Sequence, residues 1–300
     1  MGDTLVLLNA RAGTLLDAGP ERIRDELVAA LKGRCERTDI KLIKPRKLAE
    51  EIGRAARSDY STIIVGGGDG SASCAAHALA RSGKTLGVLP FGTLNLLARD
   101  LGMPPNVHEA IAALGEAQPR RIDLARVNGR AFHSLSGLGF FSQMARAREE
   151  VRGHKFGRIV GVGIAALRAV RRSGSFTLDI KVDGKRERVE ALAVLVTNNR
   201  FGQDWRRPVL DAGMLEVHIA DNAGALGKLK ASANLLTGAW RNDDDADGIR
   251  SIVAKHIAIG RTRLRAWAAT DGELTRERIP LRYDMLPGAL TVLSMPRPAA

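Results

Sequence analysis

Cysteine is nearly absent from this chain: Cys35 and Cys74 are the only two in 300 residues. They make no disulfide framework and neither has metal-ligand spacing, so a disulfide-stapled or zinc-built fold is excluded and a reducing compartment fits. Aromatic residues are also scarce, at 4%, which leaves few platforms for stacking single-stranded bases. Long apolar runs are missing too. Ile63–Val65, with glycines after it, is typical of the longest and is far too short to span a bilayer. The segment Met1–Asn9 lacks the basic region and cleavage site of a signal peptide and reads as a first strand. Gly2 is no myristoylation signal, because Val6 stands where Ser or Thr is required. The six histidines are scattered without a metal-like cluster.

What is present is enough apolar material, 45%, to build two cores at this length. The formal net charge is +13. Such a surface favours nucleic acid or an anionic membrane. No zinc-finger or RRM signature accompanies it, so nucleic acid is not the expected partner. It would show as a steep salt-dependent shift with duplex DNA.

Strand-like and helix-like stretches alternate in the first half. Residues 4–9, 39–43, 61–65 and 85–89 read as strands, and 20–32, 45–56, 72–82, 94–100 and 107–115 as helices. This rhythm predicts a parallel sheet covered on both faces, with its ligand at the carboxyl ends of the strands. Beyond Arg121 the pattern changes. Asn128-Gly129 and Asp183-Gly184 sit between β-rich runs and predict hairpins with type I′ turns. Strands are expected at 215–220, 252–259, 263–267 and 289–293, and a basic helical stretch over 143–172. The fold class is thus α/β followed by antiparallel β. The domains are residues 1–127 and 128–300, with the last residues free to return to the first domain.

The strongest chemical signal is Gly66-Gly67-Gly68-Asp69-Gly70-Ser71, after a β-branched strand and before a helix. Successive glycines let backbone N–H groups curl around phosphate oxygens, and a helix N-terminus adds positive dipole. Asp69 makes sense there if it acts through Mg²⁺ or its waters; a tight glycine turn is the plainer reading. The loop is neither a Walker A sequence nor a dinucleotide fingerprint. A second loop, Pro90-Phe91-Gly92-Thr93-Leu94-Asn95, follows the next strand. Gly92 permits close approach, Thr93 offers a hydroxyl and a helix-start N–H, and Asn95 either fixes the loop or contacts substrate.

GGGDGSAS followed by LPFGTLNLLARDLGMP resembles the catalytic domain of the diacylglycerol kinase, sphingosine kinase and bacterial lipid kinase superfamily. The resemblance extends over nearly the whole chain. It implies an ATP-binding domain related to phosphofructokinases and NAD kinases, a β-sandwich domain, and phosphoryl transfer from ATP with Mg²⁺ to a lipid hydroxyl. Asn9 to Gly13 resembles the first phosphate-facing turn, and Thr38 falls where a nucleotide-contacting Thr is found. Asp123 matches an aspartate that joins Asp69 in the Mg²⁺ network. Ser136–Phe140 and Thr197-Asn198-Asn199 match segments lining the cleft from the second domain. By itself Asp271-Gly272 reads first as a surface β-turn; the resemblance reverses that preference, since Asp271-Gly272-Glu273 matches a turn whose Asp271–Glu273 pair brings a general base to the γ-phosphate. Carboxylates so far apart in sequence can meet only in a cleft between domains.

Leu96 replaces an Asp frequent after the loop Asn, and Ala212 replaces an Asp that helps bind a second metal in relatives, so that second metal is not expected. Asp243, Asp245, Asp247 and Gly248 mimic the start of an EF-hand, but Ala254 at the twelfth position leaves an acidic turn. The basic residues between Arg146 and Arg172, interleaved with Ile159, Val162 and Leu167, fit both a helix on an anionic membrane and a solvated helix on its own domain. The expected partners are therefore a lipid substrate and an anionic membrane surface, from the cytoplasmic side and without a membrane span; a homodimer is compatible. The alternatives are a non-catalytic nucleotide-binding protein at such a surface and an NAD or sugar kinase. The acceptor lipid is not legible.

Overall fold

A computed structural model of the chain describes residues 2–151, 174–202, 206–221, 249–261 and 264–296. Two compact units divide it: Met1–Leu124 with Leu286–Ala300, and Ala125–Met285.

The first unit is built on β1 (Thr4–Asn9), β2 (Thr38–Ile43), β3 (Thr62–Gly67) and β4 (Thr85–Pro90), all parallel in the order β4-β3-β1-β2. The carboxyl half of β15 (Leu281–Ser294) adds a parallel strand beside β4. Thr4 pairs with Thr38 and Thr62, and Thr62 with Thr85. One row of threonines thus marks the amino end of the sheet, and Asn9, Ile43, Gly67 and Pro90 mark the carboxyl end. β1 and β3 are buried almost throughout, as strands covered on both faces must be. The covering helices are α1 (Gly13–Ala18), α2 (Pro20–Leu31), α3 (Pro45–Ala55), α4 (Asp69–Leu79), α5 (Leu96–Asp100) and α6 (Val107–Ala113). α2 and α3 each begin with Pro at N1, where its missing N–H costs nothing. They bury Ile23, Leu27 and Leu31, and Leu48, Ile52 and Ala55, at helical spacing. α4 buries Ala72, Ala75 and Ala76, small enough to lie close on the sheet.

Two expectations here are corrected. β3 does not stop at Val65 but carries Gly66 and Gly67 in its ladder, because Leu8 and Phe91 occupy the space a Cβ on Gly66 would need, at 2.7 and 2.8 Å. The helix expected from Ala72 then starts at Asp69, which leaves Gly68 as the N-cap between strand and helix. The short helix α1 was not expected at all.

The second unit is antiparallel. β5 (Gln118–Val127) enters it and turns at Asn128-Gly129 into β6 (Arg130–Phe132). β7 (Leu135–Gly139), α7 (Phe140–Val151), β8 (Phe176–Val182) and the long β9 (Lys185–Asn198) follow. β9 pairs with β8 along its first half and with β7 along its second. Its other edge takes β10 (Leu215–Asp221), which pairs with β11 (Ile249–Ala254). β12 (His256–Gly260) lies between β8 and β15, and β13 (Arg265–Thr270) between β7 and β14 (Glu273–Arg278). Val194 and Val196 of β9 face one apolar core with Leu178, Val217, Ala268 and Tyr283, while Ala193 and Leu195 face a second with Phe140 and Phe141. Such two-sided burial is the pattern of a sandwich core strand.

The span expected as one strand over 252–259 is two, β11 and β12, and β14 was not expected. The basic stretch lies in α7 only as far as Val151; residues 152–172, and the acidic run 243–248, lie outside the described residues.

Candidate functional site

Three turns meet at the carboxyl ends of β1, β3 and β4. Gly68 and Gly92 touch backbone to backbone: a Cβ on Gly92 would stand 2.4 Å from the Gly68 Cα. The Phe91 N–H donates to the Gly67 carbonyl at 3.0 Å, which binds the two turns further. Asn9 borders Gly67, its Cβ 3.7 Å from where a Gly67 Cβ would be. The turn after β1 is closed by the Arg11 N–H on Asn9 Oδ1 at 3.1 Å and by the Ala12 N–H on the Asn9 carbonyl at 2.9 Å. The N-cap residues of α1 and α4, Ala12 and Gly68, provide no side-chain cap. Glycine-lined turns beside such helix starts are what an anionic phosphate group requires. Around Gly13, the first residue of α1, a Cβ would meet nothing within 4 Å.

Asp69 and Asn95 lock this cradle. Asn95 sits in the left-handed region (φ 50°), its Oδ1 accepting the Gly92 N–H at 2.8 Å and its Nδ2 donating to the Gly92 carbonyl at 2.9 Å. Asp69 accepts the Asn95 N–H at 3.1 Å and the Leu96 N–H at 2.6 Å, so it caps α5 from the neighbouring turn. Of the two readings open for Asn95, the structure shows the one that fixes the loop. Asp69 also has a structural use that its glycine setting did not disclose. Thr93 is exposed and lies before α5, whose N-cap is Asn95, so the helix-start role expected for it is corrected. Ser71 is buried in the first turn of α4, its Oγ 2.4 Å from a Gly67 Cβ position, and Gly70 precedes it there.

Thr38 is a correction. It opens β2 in the row with Thr4, at the opposite end of the sheet from the cradle. Six residues of strand span roughly 16 Å at 3.3 Å each, so it does not reach a group held at Asn9 or Gly67. Arg11 was passed over within the Asn9–Gly13 motif. It is exposed in the β1–α1 turn, with no ion pair among the described residues.

Asp123 is the second expected metal ligand. It is 2% exposed on β5, and its Oδ1 accepts the N–H of Gly288 on β15 at 2.8 Å. Among the described residues no three His, Cys, Asp or Glu side chains gather as a metal cage. The cradle still suits Mg²⁺, which takes one or two carboxylates and completes its shell with phosphate oxygens and water. Asp69, half-buried at the turn, is the carboxylate that fits.

In the second unit Asp271-Gly272 is a hairpin turn with both residues at positive φ (48° and 83°), like Asn128-Gly129 and Asp183-Gly184. In all three, the first side chain reaches over to a neighbouring segment. Asn128 Oδ1 accepts from the Arg282 N–H, and Asp183 from those of Lys255 and His256. Asp271 accepts three, from His133 (3.0 Å), Ser134 (2.9 Å) and Leu135 (3.2 Å), and its side chain is fully buried. It is therefore no surface turn, and both of its carboxylate oxygens accept backbone N–H groups. Glu273 is 43% exposed and paired with Arg130.

Thr197, Asn198 and Asn199 are buried rather than lining a surface. Asn198 Nδ2 donates to the His133 carbonyl at 2.9 Å, and Asn199 Oδ1 accepts the Met214 N–H at 3.3 Å. Ser136 joins a buried hydroxyl chain with Thr270 (2.9 Å) and Tyr283 (3.2 Å). Burial pushes the Tyr283 phenol above its usual range, with the Ser136 contact opposing. Gly139 turns β7 into α7 at φ 65°, where a Cβ would lie 2.3 Å from the Leu192 carbonyl oxygen.

Residues 3–127 match the diacylglycerol kinase catalytic domain family, and residues 143–294 the YegS C-terminal NAD kinase beta sandwich-like domain. A Pseudomonas aeruginosa protein named "Probable lipid kinase YegS-like" is 29% identical over 269 residues, covering 82% of this chain and 80% of its own. An uncharacterized Synechocystis protein, sll0036, is 26% identical over 240 residues, which are 78% of this chain and 55% of that one. The crystal structure of a diacylglycerol kinase from Bacillus anthracis superposes with a TM-score of 0.74 at 21% identity, covering 98% and 97% of the two chains, and so shares the fold. With one family matched across the parallel-sheet unit and the other across most of the antiparallel one, the chain belongs to the diacylglycerol-kinase-like, YegS-type lipid kinase family.

Proposed function

We propose that this protein is an ATP- and Mg²⁺-dependent kinase that phosphorylates a hydroxyl of a membrane lipid such as diacylglycerol, working peripherally from the cytoplasmic side. The observation that carries the proposal is the cradle of Gly67, Gly68 and Gly92, where backbone approaches backbone and side chains are excluded. Its N–H groups would hold the polyphosphate of ATP, with Asp69 as the carboxylate for the metal and Arg11 as a mobile cation beside it. Mg²⁺ would supply charge neutralisation for the phosphoryl oxygens.

In the reaction the lipid hydroxyl oxygen bonds to the γ-phosphorus, the bond from that phosphorus to the β–γ bridging oxygen breaks, and ADP leaves. The hydroxyl proton needs an acceptor. Of the two expected carboxylates, Glu273 is the accessible one, while Asp271 holds the turn that carries it. Among the described residues no helix is long and apolar enough to cross a membrane, which suits an enzyme that meets its substrate at a bilayer surface.

The test is ADP release from Mg²⁺-ATP with a panel of lipid alcohols in mixed micelles, for wild type and Asp69→Ala. Lipid-dependent ADP that the variant loses supports the reading. ATP binding with no lipid-dependent ADP across the panel favours a non-catalytic nucleotide-binding protein, and turnover of NAD or a sugar phosphate favours the related kinases.

A further inference from the structure

The outer face of the β13–β14 hairpin carries an unusual set of side chains. Register places Arg265 opposite Arg278 and Trp267 opposite Arg276. Residues directly opposite in an antiparallel pair project to the same face, so three guanidinium groups and one indole share it. The alternate residues Ala266 and Ala268 are buried in the core, which fixes this face outward. Trp267 is 44% exposed, and Leu264, just before β13, is 85% exposed. β14 pairs with β13 alone among the described residues, so the hairpin forms a sheet edge.

Two features need an explanation outside the protein. Like charges directly opposite each other on neighbouring strands destabilise a sheet, yet Arg265 faces Arg278. None of Arg265, Arg276 and Arg278 has an ion-pair partner among the described residues. The one carboxylate nearby, Glu277, belongs to the alternate set and accepts from Asn128 Nδ2 at 3.3 Å. Arg265, Arg276 and Arg278 also border an open pocket of about 490 Å³, together with Asn128, Glu277, Ile279 and Pro280.

We propose that this hairpin face is a docking surface for an anionic phospholipid bilayer. The pocket takes phosphate headgroups, and Trp267 and Leu264 enter the interfacial layer. Each part matches what an interface offers. Tryptophan prefers the headgroup level, arginine stems cover apolar surface while their heads meet phosphate, and a bilayer supplies the anions that relieve the Arg265–Arg278 opposition. Nucleic acid fits less well, because a lone indole beside an exposed leucine is no series of stacking platforms. The proposal rests on the reading of this chain as an enzyme of membrane lipids, but its test needs neither nucleotide nor turnover.

The test uses the full chain with Trp205→Phe and Trp240→Phe, which leaves Trp267 as the single indole. Vesicles of phosphatidylcholine, with and without phosphatidylglycerol, are titrated while Trp267 emission and its quenching by brominated lipid are followed. The expected result is a blue shift and quenching only with phosphatidylglycerol, both lost at high salt. Arg276→Gln with Arg278→Gln should weaken this binding about 25-fold, at about fivefold per charge removed. Arg278→Gln also relieves the arginine opposition, so a thermal melt no lower than that of the parent shows that the loss is not unfolding. Three results would overturn the proposal: Trp267 emission that does not move, undiminished binding by the double variant, or a larger emission change with duplex nucleic acid than with vesicles at equal phosphate.

Discussion

Replacing Gly92 by Ala puts one methyl group into the contact on which the phosphate cradle depends. The new Cβ would lie 2.4 Å from the Gly68 Cα and 2.7 Å from Asn95 Oδ1. Carbon atoms rest about 3.5–4.0 Å apart, so the two turns must separate by about 1 Å. The movement also strains the Asn95 clamp on the Gly92 N–H and carbonyl. Overpacking of this kind costs about 1–3 kcal/mol, or about 3–9 °C of melting temperature at about 3 °C per kcal/mol for a domain of this size. Misplacing reacting groups by about 1 Å costs on the order of 100-fold in rate. Gly68→Ala is the graded comparison, with its Cβ 3.3 Å from the Gly92 Cα, and Gly13→Ala the open one. Calorimetric titration with Mg²⁺-ATP and thermal melts should therefore rank stability as Gly13→Ala, then Gly68→Ala, then Gly92→Ala. Affinity for ATP should fall with stability in the last two. Gly92→Ala that melts lower yet binds ATP like wild type would refute the cradle, because the turns would have moved without consequence for phosphate.

Asp271→Ala strips the acceptor from three backbone N–H groups, those of His133, Ser134 and Leu135. At about 1–3 kcal/mol for a buried group left unsatisfied, denaturant unfolding should show a loss of several kcal/mol. Glu273→Gln, on an exposed carboxylate, should leave stability within about 0.5 kcal/mol and lower turnover instead; a fully stable Asp271→Ala would contradict the anchoring role. The hydrogen bond from His108 on α6 to Glu26 on α2, helped by Arg22 and opposed by burial, holds the Glu26 carboxyl below its ordinary 4.5. A depressed carboxyl adds stability above its unfolded value and loses it as pH falls through the lower folded one. The stability gap between wild type and Glu26→Gln should thus be open above pH 4.5 and close below it, and a gap that widens in acid would reverse the sign.

Much of the fold was legible because its signals are local. Pro20 and Pro45 start helices, Ile23, Leu27 and Leu31 repeat at helical spacing, and Asn128-Gly129 and Asp183-Gly184 dictate turns that need positive φ. The misses come from packing that composition does not encode. Gly66 and Gly67 read as loop but belong to β3, because Leu8 and Phe91 leave no room for a side chain at Gly66 and Ser71 leaves none at Gly67. Glu273–Arg278 is assigned no element from sequence, yet it is the edge strand β14 because its backbone pairs with β13.

At the site, the residue types pointed to phosphate, but their contacts run across turns far apart in sequence. Asp69 caps a helix 26 residues further along, Asp123 meets Gly288, and Asp271 meets His133 to Leu135. Thr38 was misplaced for a related reason, since matching a residue to a motif does not say at which end of a strand it lies.

Phosphoryl transfer from ATP to a lipid hydroxyl can be followed with radiolabelled γ-phosphate. ATP so labelled is incubated with Mg²⁺, mixed lipid micelles and the enzyme, and the lipid is then extracted into organic solvent. Label should appear in a phosphorylated lipid, matched by ADP, and at a rate on the order of 100-fold lower in Gly92→Ala. Label found only as inorganic phosphate, released at the same rate without lipid, would contradict transfer to a lipid.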